Sequence, residues 1–235
     1  MSTFQEKKTG KQLFSLTPLA ILIIATILFF GLWPYSWPTL NDAHLLQSEQ
    51  ALRFRGSGIA YTEKLPFFYS EGSPGDFTIH LSVAPETVQR NGFKPILVFN
   101  DGDEKKQLAI WHWGPSLIVM NGNDYSYARK MPRISARNSL KAKESTFISI
   151  SIGRNGTRLF LNGIIVQESK ELKLSIPSNV NQLRLIVGNS VYGKHGWTGD
   201  LHYLALHDVA FSEEEVQLYY NWWAVGSPSP PAPIS

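Results

Sequence analysis

The sequence predicts an all-β domain, an antiparallel β-sandwich, preceded by one N-terminal transmembrane helix and closed by a short helix near the C-terminus. Three observations lead to this prediction. One long uncharged apolar run lies near the start of the chain. After it come short runs in which apolar and polar residues alternate, which is the period of a β-strand. Turn-forming residues separate these runs at the close spacing that is typical of sandwiches.

The N-terminal apolar run, LTPLAILIIATILFFGLW, extends from Leu16 to Trp33 and contains no charged residue. A run of about 18 uncharged, mostly apolar residues is long enough to form a membrane-spanning helix. We therefore predict a transmembrane anchor over residues 16–37. Three lysines precede the run, and no lysine or arginine occurs after it until Arg53. The positive-inside rule then keeps residues 1–15 as a cytoplasmic tail and exports the chain beyond the anchor.

This orientation predicts a single-pass protein of the inner (cytoplasmic) membrane, with its C-terminal domain periplasmic or extracellular. The membrane is thus a predicted partner through the N-terminal helix. A cleavable signal peptide is the alternative, because a charged start and an apolar stretch are common to both kinds of segment. The end of the run, GLWPYSWP, contains no small-x-small cleavage site, which favours an uncleaved anchor.

The composition excludes several kinds of site. The chain has no cysteine, so it has neither disulfides nor thiolate metal ligands. Its formal net charge is +3, and three of its lysines belong to the N-terminal tail. No stripe of basic residues with interleaved aromatics occurs, so we predict no nucleic-acid partner.

Residues 38–51 are mixed and polar, which predicts a linker between the anchor and the sandwich. The alternating runs then include FTIHLSV, FISISI and QLRLIVG, which begin at Phe77, Phe147 and Gln182. Three further runs lie between Lys94 and Met120, separated by the turn-rich segments NDGDEKK and GPS. Each alternating run predicts a strand with one apolar face toward the core and one polar face, so the strand histidines His80, His112 and His202 are expected to be half-exposed.

Two Asn-Gly pairs lie on either side of a short run in RNGTRLFLNG. Asn-Gly is a strong hairpin signal, because both residues tolerate the positive φ that a tight turn requires. The pairs Asn155–Gly156 and Asn162–Gly163 therefore predict the two corners of a three-strand meander. We expect replacement of Gly156 or Gly163 to damage folding more than binding.

Near the C-terminus, Ser212 and Glu215 form the sequence pattern of a capping box. The acidic first turn suits the positive end of a helix dipole. A helix is therefore predicted from this point to just before Gly226. We assign residues 52–225 to the sandwich and residues 226–235, which are rich in proline and serine, to an extended tail.

Three motifs succeed one another in the second half: RLFLNG (Arg158–Gly163), LRLIVG (Leu183–Gly188) and GWTGDLHYLALHDVAFSEEE (Gly196–Glu215). Over about 80 residues this order resembles that of laminin-G-like domains. The resemblance implies the jelly roll of concanavalin A-like lectins and glucanases, in which two antiparallel sheets pack face to face. It also implies that Trp197 is a core aromatic.

A second resemblance rests on GLWP (Gly31–Pro34) and LRFRGSG (Leu52–Gly58). This arrangement is similar to that of proteins in which a laminin-G-like module precedes a VanZ-like membrane domain. No VanZ-like region occurs after it within this sequence. The resemblance implies a bacterial cell-envelope protein, either a lone extracytoplasmic module or a fragment of a larger membrane protein.

Members of the implied fold that hydrolyse β-glucans carry the strand motif E-x-D-x-x-E, which is absent here. Glycoside hydrolysis requires a pair of carboxyl groups on either side of the scissile bond. The acidic run Glu213–Glu215 is explained by helix capping. We therefore predict a non-catalytic protein that binds a cell-envelope carbohydrate or a protein partner. The alternative is a glycoside hydrolase with an atypical active site.

Calcium is a candidate cofactor, because relatives of the laminin-G-like fold bind it through carboxylate and carbonyl oxygens. Asp101 and Asp103, in the segment NDGD, supply hard oxygen ligands. The alternative interpretation of NDGD is a plain hairpin turn. His202 stands where the family pattern has an acidic residue, which argues against calcium.

Glycan binding requires aromatic faces beside polar groups. WHW places Trp111 and Trp113 on the same side of a strand, and the loop NSVYGKHGW contains Tyr192, Lys194 and His195. These five residues are the predicted ligand-binding residues. For the two tryptophans the alternative is packing in the core between the sheets, whereas the loop residues are expected at the surface.

Overall fold

A computed structural model of the chain describes residues 16–32, 40–63, 65, 75–123, 131–177, 179, 182–226 and 230–231. The chain divides into two compact units, Met1–Thr39 and Leu40–Ser235. Among the described residues, the first unit contains helix α1, and the second contains all of the strands and helix α2.

Helix α1 extends from Leu16 to Leu32 and contains 17 residues. Its described side chains, at positions 18 and 20–31, are all exposed, and nearly all are apolar. Within the described residues, the structure shows no helix with both the length and the apolar character needed to cross a membrane. The predicted membrane span is therefore not confirmed. The predicted cytoplasmic tail, together with residues 33–37 of the predicted anchor, lies outside the described residues.

The second unit is a sandwich of two antiparallel sheets with a jelly-roll-like arrangement. Its described strands are β1 (Ala43–Leu46), β2 (Ala51–Arg55), β3 (Ala60–Tyr61), β4 (Phe77–Pro85), β5 (Lys94–Asn100), β6 (Leu108–Trp113), β7 (Ser116–Asn121), β8 (Arg133–Ala136), β9 (Thr146–Gly153), β10 (Gly156–Leu161), β11 (Ile164–Ser169), β12 (Arg184–Val187) and β13 (Thr198–His207). Sheet A has the order β1-β2-β13-β4-β9-β10-β11, and sheet B has the order β3-β12-β5-β6-β7-β8. The prediction of an all-β sandwich is confirmed.

All six strands predicted from alternation are present. The segment predicted as a linker, residues 38–51, contains a further strand. Ala43–Leu46 forms strand β1 and pairs antiparallel with β2, with Leu45 opposite Leu52. The described sandwich therefore begins before residue 52, earlier than the sequence predicted. The polar composition of this segment fits the position of β1 at the edge of sheet A, where the side chain of His44 is exposed.

The main core lies between the two sheets and takes every second residue from the central strands. This is the expected result of the two-residue period of a strand, in which successive side chains point to opposite faces. Trp197 is 1% exposed and joins this core, as the resemblance implied. Its principal members are Phe54, Ile79, Leu81, Phe99, Ile110, Val119, Ile148, Ile150, Leu159 and Leu185.

Helix α2 (Glu213–Ala224) confirms the predicted C-terminal helix and its capping box. The Ser212 side chain accepts a hydrogen bond from the Glu215 amide, and a carboxylate oxygen of Glu215 accepts one from the Ser212 amide at 2.6 Å. The helix packs on the outer face of sheet A, where Val216 and Tyr219 are buried against Phe147 and Phe160. Trp222 and Trp223 also pack on this cluster.

This helix corrects the expectation that each strand shows a polar face to solvent. All nine residues of β4 are buried, and His80 on its outer side is 0% exposed. The polar side chains find partners beneath the helix: Thr78 donates to the carbonyl of Val209, and His80 contacts the Ser149 hydroxyl at 2.8 Å. A strand pattern shows which residues alternate, but it does not show whether another element covers the second face.

The two Asn-Gly pairs form the predicted corners of the meander β9-β10-β11. The turn after β9 places Gly156 at φ +101°, opposite Gly153 in the ladder. Asn162 and Gly163 both have positive φ, at 50° and 78°, and connect β10 to β11. These are the conformations for which Asn and Gly are favoured in hairpins.

Candidate functional site

The outer face of sheet B is the candidate site. Helix α2 packs on the outer face of sheet A, so it does not cover the outer face of sheet B. Alternate residues of β5, β6, β7 and β12 form a second apolar cluster here: Val98, Ala109, Trp111, Ile118, Met120 and Ile186. Two depressions lie over this face, one above β6-β7-β8 and the other above β3-β12-β5.

The first, which we name the arginine depression, has a volume of about 780 Å³. Strand β6 supplies Trp113, strand β7 supplies Ser116 and Ile118, and strand β8 supplies Arg133 and Ser135. The remaining described lining residues come from the flanking loops: Arg90, Phe93, Met131, Arg137 and Asn138. The depression therefore combines an apolar floor with three guanidinium groups.

Trp113 organises one side of the arginine depression. The Phe93 ring stacks on it with a centroid distance of 5.8 Å and an interplanar angle of 11°. The guanidinium carbon of Arg90 lies over the same indole, 5.1 Å from the ring centroid. A guanidinium over a tryptophan ring is attracted by the electrons of the ring face, so Trp113 holds Arg90 in a defined place.

The turn between β6 and β7 also holds Arg90. Gly114 in this turn has φ +56°, and a Cβ atom added to it would lie 2.5 Å from Cγ of Arg90. The aliphatic stem of Arg90 therefore lies directly against the glycine backbone while its head lies over Trp113. A side chain at position 114 would displace it.

The opposite side of the arginine depression is polar. Arg133 donates from Nε to the carbonyl of Met131 at 3.1 Å, and Arg137 and Asn138 are located in the turn after β8. Asn138 has φ 52°, which places it in the left-handed region that Asn tolerates better than most residues. No described lining residue of this depression is an acid.

The second, which we name the tyrosine depression, has a volume of about 500 Å³. Tyr61, 63% exposed, stands at its edge, and Asn100, Asp101 and Arg184 line it. Its charges are mixed, because Glu63 and Asp101 line it together with Arg184. Val191 also lines it.

The loop Asn189–Trp197, which contains three predicted ligand-binding residues, is held from within by Asn189. The Asn189 side chain accepts hydrogen bonds from the amides of Ser190 and His195 and donates to the carbonyls of Gly56 and Gly58. Because Asn189 is 1% exposed, these bonds are shielded from water. The loop is therefore an ordered part of the surface.

The predicted loop residues differ in exposure. Tyr192 is 66% exposed and Lys194 is exposed, whereas His195 is half-buried. Partial burial lowers the pKa of His195 below its usual range, and the nearby positive charge of Lys94 acts in the same direction. None of the three lines a described depression, but Tyr192 is the neighbour in sequence of Val191 at the tyrosine depression.

The two predicted tryptophans lie on the same side of β6, as expected, but on the outer face of sheet B and not in the core between the sheets. Trp111 is 0% exposed and forms the floor of the outer cluster. Trp113 is half-buried and lines the arginine depression. The structure thus separates the pair: Trp111 packs, and Trp113 is accessible. His112, between them, is 5% exposed, so the expectation of a half-exposed histidine is wrong here too.

Asp101 and Asp103, the predicted calcium ligands, cap the turn after β5. Asp101 accepts a hydrogen bond from the Asp103 amide, and Asp103 accepts one from the Lys105 amide. Among the described residues, no group of three or more His, Asp or Glu side chains is placed to hold a metal ion. The calcium site therefore stays a prediction that rests on two turn-capping carboxylates.

A further depression, of about 540 Å³, lies along sheet A and contains the ion pair of Arg53 and Asp200. Both bonds of this pair are 2.7 Å long. The pair holds the pKa of Asp200 below its usual range, chiefly through the hydrogen bond from Arg53. Since the two residues face each other on neighbouring strands β2 and β13, the pair is explained as a bond within the sheet.

Sequence reasoning missed Arg90, Phe93 and Arg137. Arg90 and Phe93 belong to the segment RNGF before β5, which carried only turn signals. Arg137 comes directly after a strand too short to stand out. Nothing in the local pattern shows that these segments meet around Trp113, because the meeting depends on the order of strands in sheet B.

No family model matches the chain, and no curated protein matches it. Among solved structures, a tryptophan-to-alanine mutant of HCR/D matches with a TM-score of 0.56 and 12% identity, over 77% of this chain. The match spans only 45% of that protein's own length. Domain 4 of AbnA, a GH43 extracellular arabinanase from Geobacillus stearothermophilus solved in complex with arabinotriose, matches with a TM-score of 0.54 and 12% identity. This match covers 71% of the present chain and 74% of that domain.

At these identities the likeness shows the fold alone. It confirms a jelly-roll-like β-sandwich. The laminin-G-like and VanZ-associated resemblances stay predictions.

Proposed function

We propose that the chain is a non-catalytic carbohydrate-binding protein and that the outer face of sheet B carries its site. The observation that supports this most directly is the arginine depression, where the accessible Trp113 lies beside guanidinium, hydroxyl and amide groups. Carbohydrate sites combine apolar aromatic surface with a few polar groups that fix orientation. The fold shared with an arabinanase domain solved with a trisaccharide supports the same proposal.

Binding is favoured over hydrolysis by the chemistry of the depression. A glycoside hydrolase needs two carboxyl groups, about 5–9.5 Å apart, on either side of the bond that it cleaves. The described lining of the arginine depression contains none. The alternative function, a glycoside hydrolase with an atypical active site, would have to place its acids elsewhere.

The test uses the full chain, purified in a mild detergent, and an array of cell-envelope and plant glycans. We expect retention of at least one glycan without release of oligosaccharides. Trp113→Leu should abolish retention, because it removes both the aromatic surface and the support of Arg90. Trp222→Leu, a matched change on helix α2, should leave retention intact.

Three results would overturn the proposal. Release of oligosaccharides by the wild-type chain would show catalysis. Retention that survives Trp113→Leu but is lost in Trp222→Leu would move the site to sheet A. If no glycan is retained, carbohydrate binding is rejected and an envelope protein becomes the leading partner.

We also propose that the N-terminal segment anchors the chain in the inner membrane, with the sandwich on the periplasmic or extracellular side. A helix that is apolar on all sides requires an apolar surrounding, and the described side chains of α1 are exposed around its whole circumference. The lysines before the helix support the orientation.

Membrane fractionation after alkaline carbonate washing tests the anchor. We expect the full chain in the membrane pellet. Ile24→Arg should shift it to the supernatant, because an arginine at the centre of a membrane helix costs about 2.5–3.5 kcal/mol. Leu40→Arg, outside α1, is the control and should not. A mature N-terminus near residue 37 by protein sequencing would show a cleaved signal and overturn the anchor.

A further inference from the structure

We infer that the arginine depression takes an acidic glycan, one whose sugar rings carry carboxylate groups, and that Arg90 and Arg137 bind those carboxylates. This inference rests on the proposed carbohydrate-binding function and narrows it to a class of ligand. It is derived from the charge, placement and order of the arginines around Trp113.

Arg90 is prepared for a bidentate contact. Its stem lies against Gly114 and its guanidinium lies over the Trp113 indole, so little freedom is left for the ligand to remove. The guanidinium also has a planar edge of N–H groups that can donate to a ligand. That edge matches the two oxygens of a carboxylate, which accept two parallel hydrogen bonds.

Arg137 adds a second positive group on the other side of the depression. It is exposed in the turn after β8, and neither Arg137 nor Arg90 forms an ion pair with an acidic residue in the described part of the chain. Both charges are therefore available to a ligand. Arg133, on β8, adds to the positive potential.

The contrast with the tyrosine depression supports the choice of an acidic ligand. There the two acids Glu63 and Asp101 outnumber the single Arg184, so the described lining carries no excess of positive charge. In the arginine depression every charged residue of the described lining is positive. A neutral sugar would gain hydrogen bonds from the arginines, but it would leave the positive charge unbalanced. A carboxylate gains the stronger, charge-assisted bonds.

The experiment measures the affinity of the full chain for three acidic polysaccharides and for their methyl-esterified forms. The pairs are polygalacturonate, alginate and hyaluronan, each compared with the same backbone after its carboxylates are converted to neutral esters. We expect at least one acidic form to bind tenfold or more tightly than its ester. The affinity should fall as salt rises, since exposed charges are screened.

Three variants and a control locate the effect. Arg90→Gln and Arg137→Gln should each weaken binding of the acidic form roughly tenfold or more, as expected for the loss of a charged hydrogen bond. Arg90→Lys should also weaken it, because lysine keeps the charge but lacks the planar fork. The control is Arg154→Gln, in the turn after β9 in sheet A. It also removes one positive charge, but it should leave the affinity for the acidic form unchanged. Unchanged thermal unfolding shows that the variants fold.

The outcomes distinguish this inference from the function on which it rests. Equal affinity for acid and ester in every pair overturns the acidic ligand but leaves carbohydrate binding in place. The absence of binding to these six polymers and to the glycan array rejects both. An equal loss in Arg154→Gln would show unspecific charge attraction and overturn the assigned site. Tighter binding of poly-glutamate than of any acidic polysaccharide would assign the depression to acidic peptides.

Discussion

The imidazole of His80 stacks on the phenol ring of Tyr219, with centroids 4.2 Å apart and an interplanar angle of 5°. His80 lies on strand β4 in sheet A, and Tyr219 lies on helix α2. The imidazole is 0% exposed, contacts the Ser149 hydroxyl through Nδ1, and is further enclosed by Phe147, Phe211 and His207. The helix is therefore attached to the sheet through a histidine that must stay neutral.

We predict that acid weakens the fold through His80. Burial lowers the pKa of His80 to about 3, and the neighbouring His207 acts in the same direction. Because the unfolded chain binds the proton near pH 6.5, the stabilising contribution of neutral His80 is complete above pH 6.5 and is lost as pH falls toward 3. Between pH 7 and pH 5 the free energy of unfolding should fall by about 2 kcal/mol through this residue.

Urea unfolding at pH 7 and pH 5 measures this difference. His80→Phe keeps an aromatic ring beneath Tyr219 and should show a smaller pH dependence than the wild type by that amount. His202→Gln, on strand β13, is the control and should keep the dependence. An unchanged pH dependence in His80→Phe would assign the acid sensitivity to other groups.

Gly156 should be the least replaceable corner of the meander. At φ +101° an alanine is strained, and its Cβ would also overlap the carbonyl oxygen of Ser169. Gly156→Ala should lower the free energy of unfolding by at least about 2 kcal/mol. Gly193→Ala provides the comparison, because φ is also positive there but no atom lies within 4 Å.

At Gly193 we expect a loss of about 1 kcal/mol from backbone strain alone. Chemical denaturation of both variants tests the difference. Equal losses would show that the contact with Ser169 relaxes without cost. Binding by either folded variant should be unaffected, since neither glycine lines a described depression.

The capping box at Ser212 should contribute measurably to the stability of helix α2, which covers the outer face of sheet A. Ser212→Ala removes the side-chain acceptor of the Glu215 amide and should cost about 1 kcal/mol in urea unfolding. Ser212→Asp keeps an acceptor at the same place and should remain near the wild-type value. If both variants lose the same amount, the serine acts by some contact other than capping.

Asn189 should decide whether the loop of Tyr192 and His195 is ordered. Asn189→Ala leaves two amides and two carbonyls without their partner, and we expect a loss of roughly 2–4 kcal/mol. Hydrogen exchange at the His195 amide should become faster than the loss in the global free energy of unfolding alone would produce.

The control for this loop is Asn91→Ala, a substitution at an exposed asparagine before β5. It should change neither stability nor the exchange of the His195 amide. Slow exchange of the His195 amide in Asn189→Ala would contradict the prediction. It would show that backbone hydrogen bonds, such as that from the Gly193 amide to the Ser190 carbonyl, are sufficient to keep the loop ordered.

The parts of the fold that could be predicted are those encoded locally. Alternation in FTIHLSV and FISISI predicts the strands, the Asn-Gly pairs predict the corners, and Ser212 with Glu215 predicts the start of α2. Each signal depends on residues a few positions apart. Strand β1, which is short and lies at a sheet edge, has no such signal, so its polar surroundings predict a linker instead.

The site was predictable only in part, because it is assembled from distant segments. The pattern of WHW correctly placed Trp111 and Trp113 on one side of a strand, but it could not tell which would be buried. That difference depends on the surroundings of each indole: Trp111 belongs to the outer cluster itself, whereas Trp113 packs at the side of the cluster with Arg90 over its ring. Likewise, nothing near His80 in the sequence indicates that α2 will cover it.

The place of β13 between β2 and β4 has a consequence for the order in which the chain can fold. Arg53 and Asp200, which join β2 to β13, are 147 residues apart. The hairpin of β1 and β2 comes early in the chain, but it cannot join the rest of sheet A until β13 is free to pair with β2. Such long-range pairing is slow, and unpaired strand edges are prone to aggregation while they wait. A chain truncated before residue 198 is therefore expected to remain protease-sensitive.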